Sequence, residues 1–273
     1  MLTMVEARTA AGTLLSLPLE DVSDGLIIND IDGLGPVKAT VVTSRFASMD
    51  GVQFQSIRRE ARNVVIKLDL EPDYSSDSVQ DLRDRLYSFF MTKMAISLRF
   101  IRSEGLEVDV DGYVESCDPD IFSQEPAVNI SIICTNPDLI DITPVELEGD
   151  TVADATETLI EYPGTVETGI IFTMTLDRDL DDLTIFHRAP DNTITSFELS
   201  ATMLTGDILT INTVAGSRGI ELNRSSVLSS LLYGKSAQSK WTEFTQGENY
   251  IRVYATGDPI PYEITYLNRY GGL

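Results

Sequence analysis

Basic side chains are scarce in this sequence. Only 20 Lys and Arg stand against 43 Asp and Glu among 273 residues, a formal net charge of −23. The deficit is shared along the chain: from Asp141 onward there are 20 acidic and 8 basic residues, and before it 23 and 12. A chain without Lys/Arg clusters has nothing to exchange for the counterions of a phosphate backbone, and it repels anionic lipid. Sequence-specific nucleic-acid binding is therefore excluded, whereas a surface that DNA slides past without sticking is compatible. Cysteine is nearly absent, with Cys117 and Cys134 alone, too few for a disulfide framework or a thiolate metal site. Both are expected to be small buried residues. No apolar run approaches the roughly 18 residues of a membrane span. Met1-Leu-Thr-Met-Val-Glu-Ala-Arg8 lacks the basic flank and apolar stretch of a secretory signal, so synthesis in the cytoplasm is expected.

Groups for catalysis are as sparse. The one histidine, His187, has no Gly-x-Ser-x-Gly elbow to serve, so a nucleophilic triad is not supported. Asp177-Arg-Asp-Leu-Asp-Asp182 places carboxylates at the first, third and fifth positions of a calcium loop. Its sixth position is Asp182 where the turn needs Gly, and its twelfth is Arg188 rather than Glu. Gly33-Leu-Gly-Pro36 lacks the spacing of a phosphate loop, and its proline removes a donor, so it reads as a turn. Asn129-Ile-Ser131 and Asn223-Arg-Ser225 have the form of glycosylation sequons, with no secretory signal to expose them. No catalytic residue, cofactor or metal is expected.

Strand patterns fill both halves. Leu26–Ile31, Val37–Phe46, Val52–Arg58 and Asn63–Leu70 read as strands, with Met49-Asp-Gly51 as a hairpin turn between the second and third. One helix interrupts them. Ser78 and Asp81 form a capping-box pair, and Val79, Leu82, Leu86, Phe89 and Phe90 share one face of a helix of about four turns. Strands resume at Ala95–Ile101, Leu106–Val114 and Val128–Cys134. In the middle one Leu106, Val108 and Val110 alternate with Glu107, Asp109 and Asp111. Asn136-Pro-Asp138, Pro144 and the acidic stretch from Glu146 to Asp154 mark a boundary, giving domains 1–140 and 141–273.

Beyond it, short strands recur about every ten residues. They are Gly169–Leu176, Leu183–Arg188, Ser196–Ala201, Asp207–Thr213, Ile220–Leu222, Trp241–Phe244, Asn249–Ala255 and Pro261–Leu267. A β-sandwich of jelly-roll or galectin-like type buries so many half-apolar strands. Within the last strand Tyr262, Ile264, Tyr266 and Asn268 alternate with Glu263, Thr265 and Leu267, which ties that end of the chain into a sheet. The expected class is mainly β: an α+β N-terminal half with a split-barrel-like sheet and one amphipathic helix, then the sandwich.

The ending Tyr262-Glu-Ile-Thr-Tyr-Leu-Asn-Arg-Tyr-Gly-Gly-Leu273 closely resembles that of the distal tail protein family of long-tailed bacteriophages. There a Tyr-x-Ile-x-Tyr strand precedes Tyr-x-Gly-Leu. Gly33-Leu-Gly-Pro36, Met49-Asp-Gly51-Val-Gln-Phe54, Arg62-Asn-Val-Val-Ile-Lys-Leu68 and the helix with Arg83 and Leu86 are similar to the family's N-terminal domain. So are Gly112-Tyr-Val-Glu115 and Phe122 to Pro137. Gly206–Thr213, Gly219–Asn223, Trp241 and Gly247–Ile251 are similar to its C-terminal sandwich. Each motif is short; their order, from about Leu26 to Leu273, carries the likeness.

The resemblance implies a structural protein of the virion, at the phage tail tip. Six copies would form a ring through their N-terminal belt domains, with the sandwiches pointing outward. Its partners would be the tail tube protein, the tape measure protein and the tail tip or receptor-binding proteins. Neither membrane insertion nor sequence-specific nucleic-acid binding is implied. Glu107, Asp109 and Asp111 are candidates for lining a channel that passes DNA, or form an ordinary solvated face. The alternative function is carbohydrate binding at the host surface, with Trp241, Tyr250 and Tyr254 as an aromatic platform unless they are core. A cell-wall hydrolase using paired carboxylates is the third reading, and abundance of carboxylates does not support it without geometry.

Overall fold

The computed structural model describes every residue except Val22, Ser48, Met49, Phe122 and Gln124. The chain divides into two compact units, Met1–Ile142 with Gly271–Leu273, and Thr143–Tyr270. The second unit is thus an insertion in the chain of the first. The boundary falls two residues beyond the one read from the sequence. Gly271–Leu273, assigned by sequence to the C-terminal domain, pack with the first unit.

The first unit comprises β1 (Leu2–Thr9), β2 (Leu14–Pro18), β3 (Leu26–Asp32), β4 (Ala39–Ser44), β5 (Gln53–Arg59) and β6 (Arg62–Leu70). Helix α1 (Val79–Phe89), β7 (Ala95–Arg102), β8 (Glu107–Pro119), β9 (Ala127–Cys134) and β10 (Leu139–Asp141) follow. Its main sheet runs β2-β1-β7-β8-β9-β6-β3, with β10 beside the first part of β8. All these pairs are antiparallel. Period-two alternation puts Val64, Ile66 and Leu68 of β6, Leu98 and Phe100 of β7, and Val108 and Val110 of β8 on the buried face. Within the β8–β9 ladder the register shifts between Val114 and Ser116, an irregularity of the β-bulge kind.

Helix α1 starts at the capping box read from the sequence: Ser78 Oγ accepts from Asp81 N, and Asp81 Oδ2 accepts from Ser78 N at 2.9 Å. Leu82, Leu86, Phe89 and Phe90 are buried. The helix has 11 residues, about three turns rather than four. Phe90 is its C-cap, outside the helical dihedral range.

Strands β1 and β2 lie where the sequence reading placed none. β1 nevertheless has the alternation, with Val5, Ala7 and Thr9 buried between exposed or half-exposed neighbours. Met49 of the expected hairpin turn lies outside the described residues; the strands flanking it do pair, as β4 with β5.

The second unit comprises β11 (Val145–Asp150), β12 (Thr158–Tyr162), β13 (Thr168–Gly169), β14 (Ile171–Thr175), β15 (Leu180–Arg188) and β16 (Ile194–Met203). Then come β17 (Ile208–Asn212), β18 (Gly219–Arg224), β19 (Val227–Ser230), β20 (Glu243–Phe244), β21 (Gly247–Tyr254) and β22 (Pro261–Tyr266). A six-stranded sheet, β11-β22-β14-β17-β18-β19, faces a four-stranded one, β12-β21-β15-β16. Inward residues of both form one core, including Phe172, Ile185, Phe197, Leu209, Val253 and Ile264.

The aromatic strand read from the sequence is β22, between β11 and β14. Tyr262 packs on Phe172 with ring centroids 5.2 Å apart, and Tyr266 meets Phe244 edge-on at 5.2 Å. The acidic stretch read as a linker contains an edge strand, β11. Glu146, Glu148 and Asp150 take its exposed positions while Val145, Leu147 and Gly149 are half-buried. Charge on an edge strand blocks pairing with other chains and is compatible with a strand.

Arg62 opens β6 and is 1% exposed. Its Nε donates to Pro137 O at 2.7 Å, one terminal nitrogen donates to Gly33 O and to Gly35 O at 2.9 Å, and the other donates to Gly271 O at 2.7 Å. Burial draws its pKa below the usual arginine value, yet the group stays cationic because that value is so high. Gly33 has φ +90°, and a Cβ there would sit 1.9 Å from Asn63 O, so only glycine brings this loop onto β6. A Cβ at Gly272 would sit 3.0 Å from Leu34 O and Pro36 Cδ, and Leu273 N donates to Leu34 O at 3.0 Å.

Arg62→Met keeps the aliphatic stem and removes every donor. It should destabilise the first unit by about 3 kcal/mol or more, since several buried carbonyls lose a charged partner together. Hydrogen exchange should lose protection in residues 33–36 and 271–273 before the sandwich strands respond. Unchanged protection there would contradict this account of the site.

Candidate functional surfaces

Glu107, Asp109 and Asp111 do share the outward face of β8, but they are not alone. Arg99 of β7 lies directly across from Asp109 and grips it with both arms of the guanidinium, Nε to Oδ1 at 2.7 Å and Nη2 to Oδ2 at 3.0 Å. Its remaining nitrogen is 3.7 Å from Glu107. The bond to Asp109 raises the Arg99 pKa further. Glu6 of β1 stands opposite Arg99 on the other side, and Asp111 faces Ser97. With Glu115, which continues the alternation of β8, and Arg8, which shares that of Glu6, this part of the face carries five acids and two arginines: acidic, with a cation between Glu6 and Asp109.

Trp241, Tyr250 and Tyr254 do not form one platform. Trp241 is half-buried against the sandwich core, its ring 5.4 Å from that of buried Phe197 and 5.4 Å from Lys235 Nζ. Tyr250 and Tyr254 lie on β21 at the alternate positions to its buried residues Asn249, Ile251 and Val253, so they face outward. The Tyr250 ring is already covered, by the Arg188 guanidinium 3.8 Å from its centroid. Arg188 is its cross-strand partner and also binds Glu157. Two residues along the same ladder, Arg252 stacks on Phe186 at 4.1 Å. One face of the Tyr250 ring is therefore occupied by the chain's own arginine.

The acidic turn at 177–182 scatters its carboxylates. Asp179 accepts from Thr205 N at 2.8 Å, and Asp182 accepts from Ser200 Oγ at 2.6 Å. Among the described residues no group of three or more His, Cys, Asp or Glu is placed to hold a metal ion. Cys117 is half-buried and Cys134 buried, both free, and burial pushes each thiol up to about 11, far from a reactive thiolate. His187 is 5% exposed beside the Phe244 ring. Asn249, fully buried, donates through Nδ2 to Thr245 O and Gly247 O, which leaves Oδ1 as acceptor for Thr245 N. The His187 Nε2 that lies 3.0 Å from Oδ1 must therefore carry a proton. This is an internal brace of the sandwich.

Two features escaped the sequence reading. Arg62 stands just before the strand read at Asn63–Leu70 and heads a motif of the family resemblance, with nothing nearby in sequence to show the carbonyls it collects. The β4–β5 hairpin was read as ordinary sheet strands, although Val41, Val42, Phe54 and Ile57 remain exposed.

Residues 163–270 match the family described as siphovirus-type tail component, C-terminal domain. No curated protein matches the chain in sequence. Among solved structures, the SPP1 Dit (gp 19.1) protein, described as a paradigm of the hub adsorption apparatus in phages infecting Gram-positive bacteria, aligns with a TM-score of 0.66. The identity is 12%, over 97% of this chain and 98% of that one. The baseplate of phage P2 in its activated conformation with Ca aligns at a TM-score of 0.44 and 9% identity, over 98% of each chain. The family match falls wholly within the second unit. The chain as a whole is built as a Dit tail protein is built.

Two expectations follow from these side chains. Burial holds the His187 pKa below its ordinary 6.5, so the unfolded chain takes up a proton that the folded one refuses. Stability of the second unit should be fully present above the unfolded value and fall as pH drops below it, by up to about 1.4 kcal/mol per pH unit. His187→Gln should flatten the melting temperature between pH 7 and 5.5; an unchanged slope would show that another group is responsible. Trp241→Ala should cost about 2 kcal/mol of stability, less than for a fully buried Trp. Denaturant unfolding checks it, and a change within error would place Trp241 outside the packing.

Proposed function

We propose that this chain is a structural virion protein, the distal tail or baseplate hub component of a long-tailed phage. The observation that carries this reading is the tail-component domain over residues 163–270, within a chain whose whole fold is that of Dit. In this role the first unit forms a closed ring, in the family's manner of six copies, at the end of the tail tube. The sandwich stands outward toward the tail tip and receptor-binding proteins. Synthesis takes place in the host cytoplasm, and the tape measure protein is a further neighbour.

Physics supports the assignment. A ring of one chain needs heterologous contacts that close by rotation. An acidic chain without basic clusters does not hold passing DNA by counterion release. The outward face with Glu6, Glu107, Asp109 and Asp111 suits a channel wall, and Arg99 holds Asp109 in place without reversing the sign of that face. The chain works by fitting neighbours, not by converting a substrate.

Sedimentation and negative-stain imaging of the pure protein, alone and with tail tube protein, test this. A ring-sized species under either condition is expected. A strict monomer under both would overturn the reading.

A further inference from the structure

The β4–β5 hairpin stands apart from the main sheet. Among the described residues its two strands pair only with each other. Every residue of β5 is exposed. Val41, Val42, Phe46, Val52, Phe54 and Ile57 are each 43–60% exposed, a density of large apolar surface unmatched among the described residues of the first unit. Val41 lies directly across from Ile57, so apolar side chains meet across the ladder. A two-stranded hairpin is marginal in water by itself, and contiguous exposed apolar surface marks a site of association.

Its charge sets it apart as well. Between Lys38 and Glu60 there are four basic residues, Lys38, Arg45, Arg58 and Arg59, against Asp50 and Glu60. The hairpin is thus net positive in a chain of net −23. Its base is fixed, since Arg59 binds Asp138 and Glu60 N donates to Lys38 O at 2.9 Å. The arm is anchored at one end, where Arg58 also lies 3.7 Å from Glu60, and the described residues of β5 are exposed.

We propose that this hairpin is a docking arm that lies against the acidic surface of a second copy of the same chain. Charge complementarity selects that occupant: the arm is attracted by the surface every other copy presents, and its apolar side chains are covered once there. Arm and receiving surface are different patches, so the contact is heterologous and can propagate around a ring. The inference rests on the ring reading above and names the element that makes the contact.

Val41→Ser/Phe54→Ser/Ile57→Ser alters only exposed positions, so circular dichroism and melting should match the parent. Its assembly, measured by sedimentation under the conditions where the parent forms rings, should weaken about tenfold or more, as for removal of central apolar anchors. Arg45→Glu/Arg58→Glu should weaken assembly most at low salt and less as salt rises. A photo-crosslinking residue in place of Phe54 should join two differently tagged copies. Rings from the triple variant at the parent's concentration, or crosslinks only to tail tube protein, would overturn the arm while leaving the ring intact. Failure of the parent itself to assemble, alone or with tube protein, would instead remove the ring and the arm together.

Discussion

A buried guanidinium holding backbone carbonyls is the contact on which the first unit depends. Arg62 has no carboxylate among its hydrogen-bond partners; its acceptors are the carbonyls of Gly33, Gly35, Pro137 and Gly271. Three irregular segments, distant in sequence, thereby acquire a common anchor at the first residue of a central strand. Each carbonyl is one that a loop would otherwise turn to water. The planar fork of arginine reaches all of them at once, which a lysine ammonium cannot do. The glycines complete the arrangement by letting backbone approach backbone.

Much of this fold could be read from the sequence because the determinants are local. Ser78 and Asp81 define the start of α1, and alternation along Val64, Ile66 and Leu68 or Tyr262, Ile264 and Tyr266 defines strands and their buried faces. What was missed falls into two kinds. β1 has clear alternation at Val5, Ala7 and Thr9 but opens the chain, where fraying is the usual expectation. β11 was hidden by its acids, which read as a linker until the edge position explains them. Arg62, by contrast, has no local signature, because its meaning lies in partners up to 209 positions away.

The candidate sites divide in the same way. Alternation put Glu107, Asp109 and Asp111 on one face, but their cross-strand neighbour Arg99 depends on the pairing of β7 with β8. The three aromatics were grouped by type, and topology separates them: Trp241 is packed against the core while Tyr250 lies under Arg188 on the outside. Surfaces that bind other proteins are spread over several elements and carry no spacing rule. A resemblance in the order of motifs points to the proposed function, where composition and periodicity reach only the fold class.

The insertion of the second unit between Ile142 and Gly271 has a consequence for how the molecule is made. A ribosome delivers Arg62 together with the loop carbonyls of residues 33 and 35, but Gly271 follows 209 residues later. At translation speeds of 5–20 residues per second, that is an interval of roughly 10–40 s. During it the sandwich can fold as it emerges, while one arm of the Arg62 fork waits for its acceptor. Closure of the first unit at Gly271 therefore waits until the second unit has been made, although most of the first unit leaves the ribosome earlier.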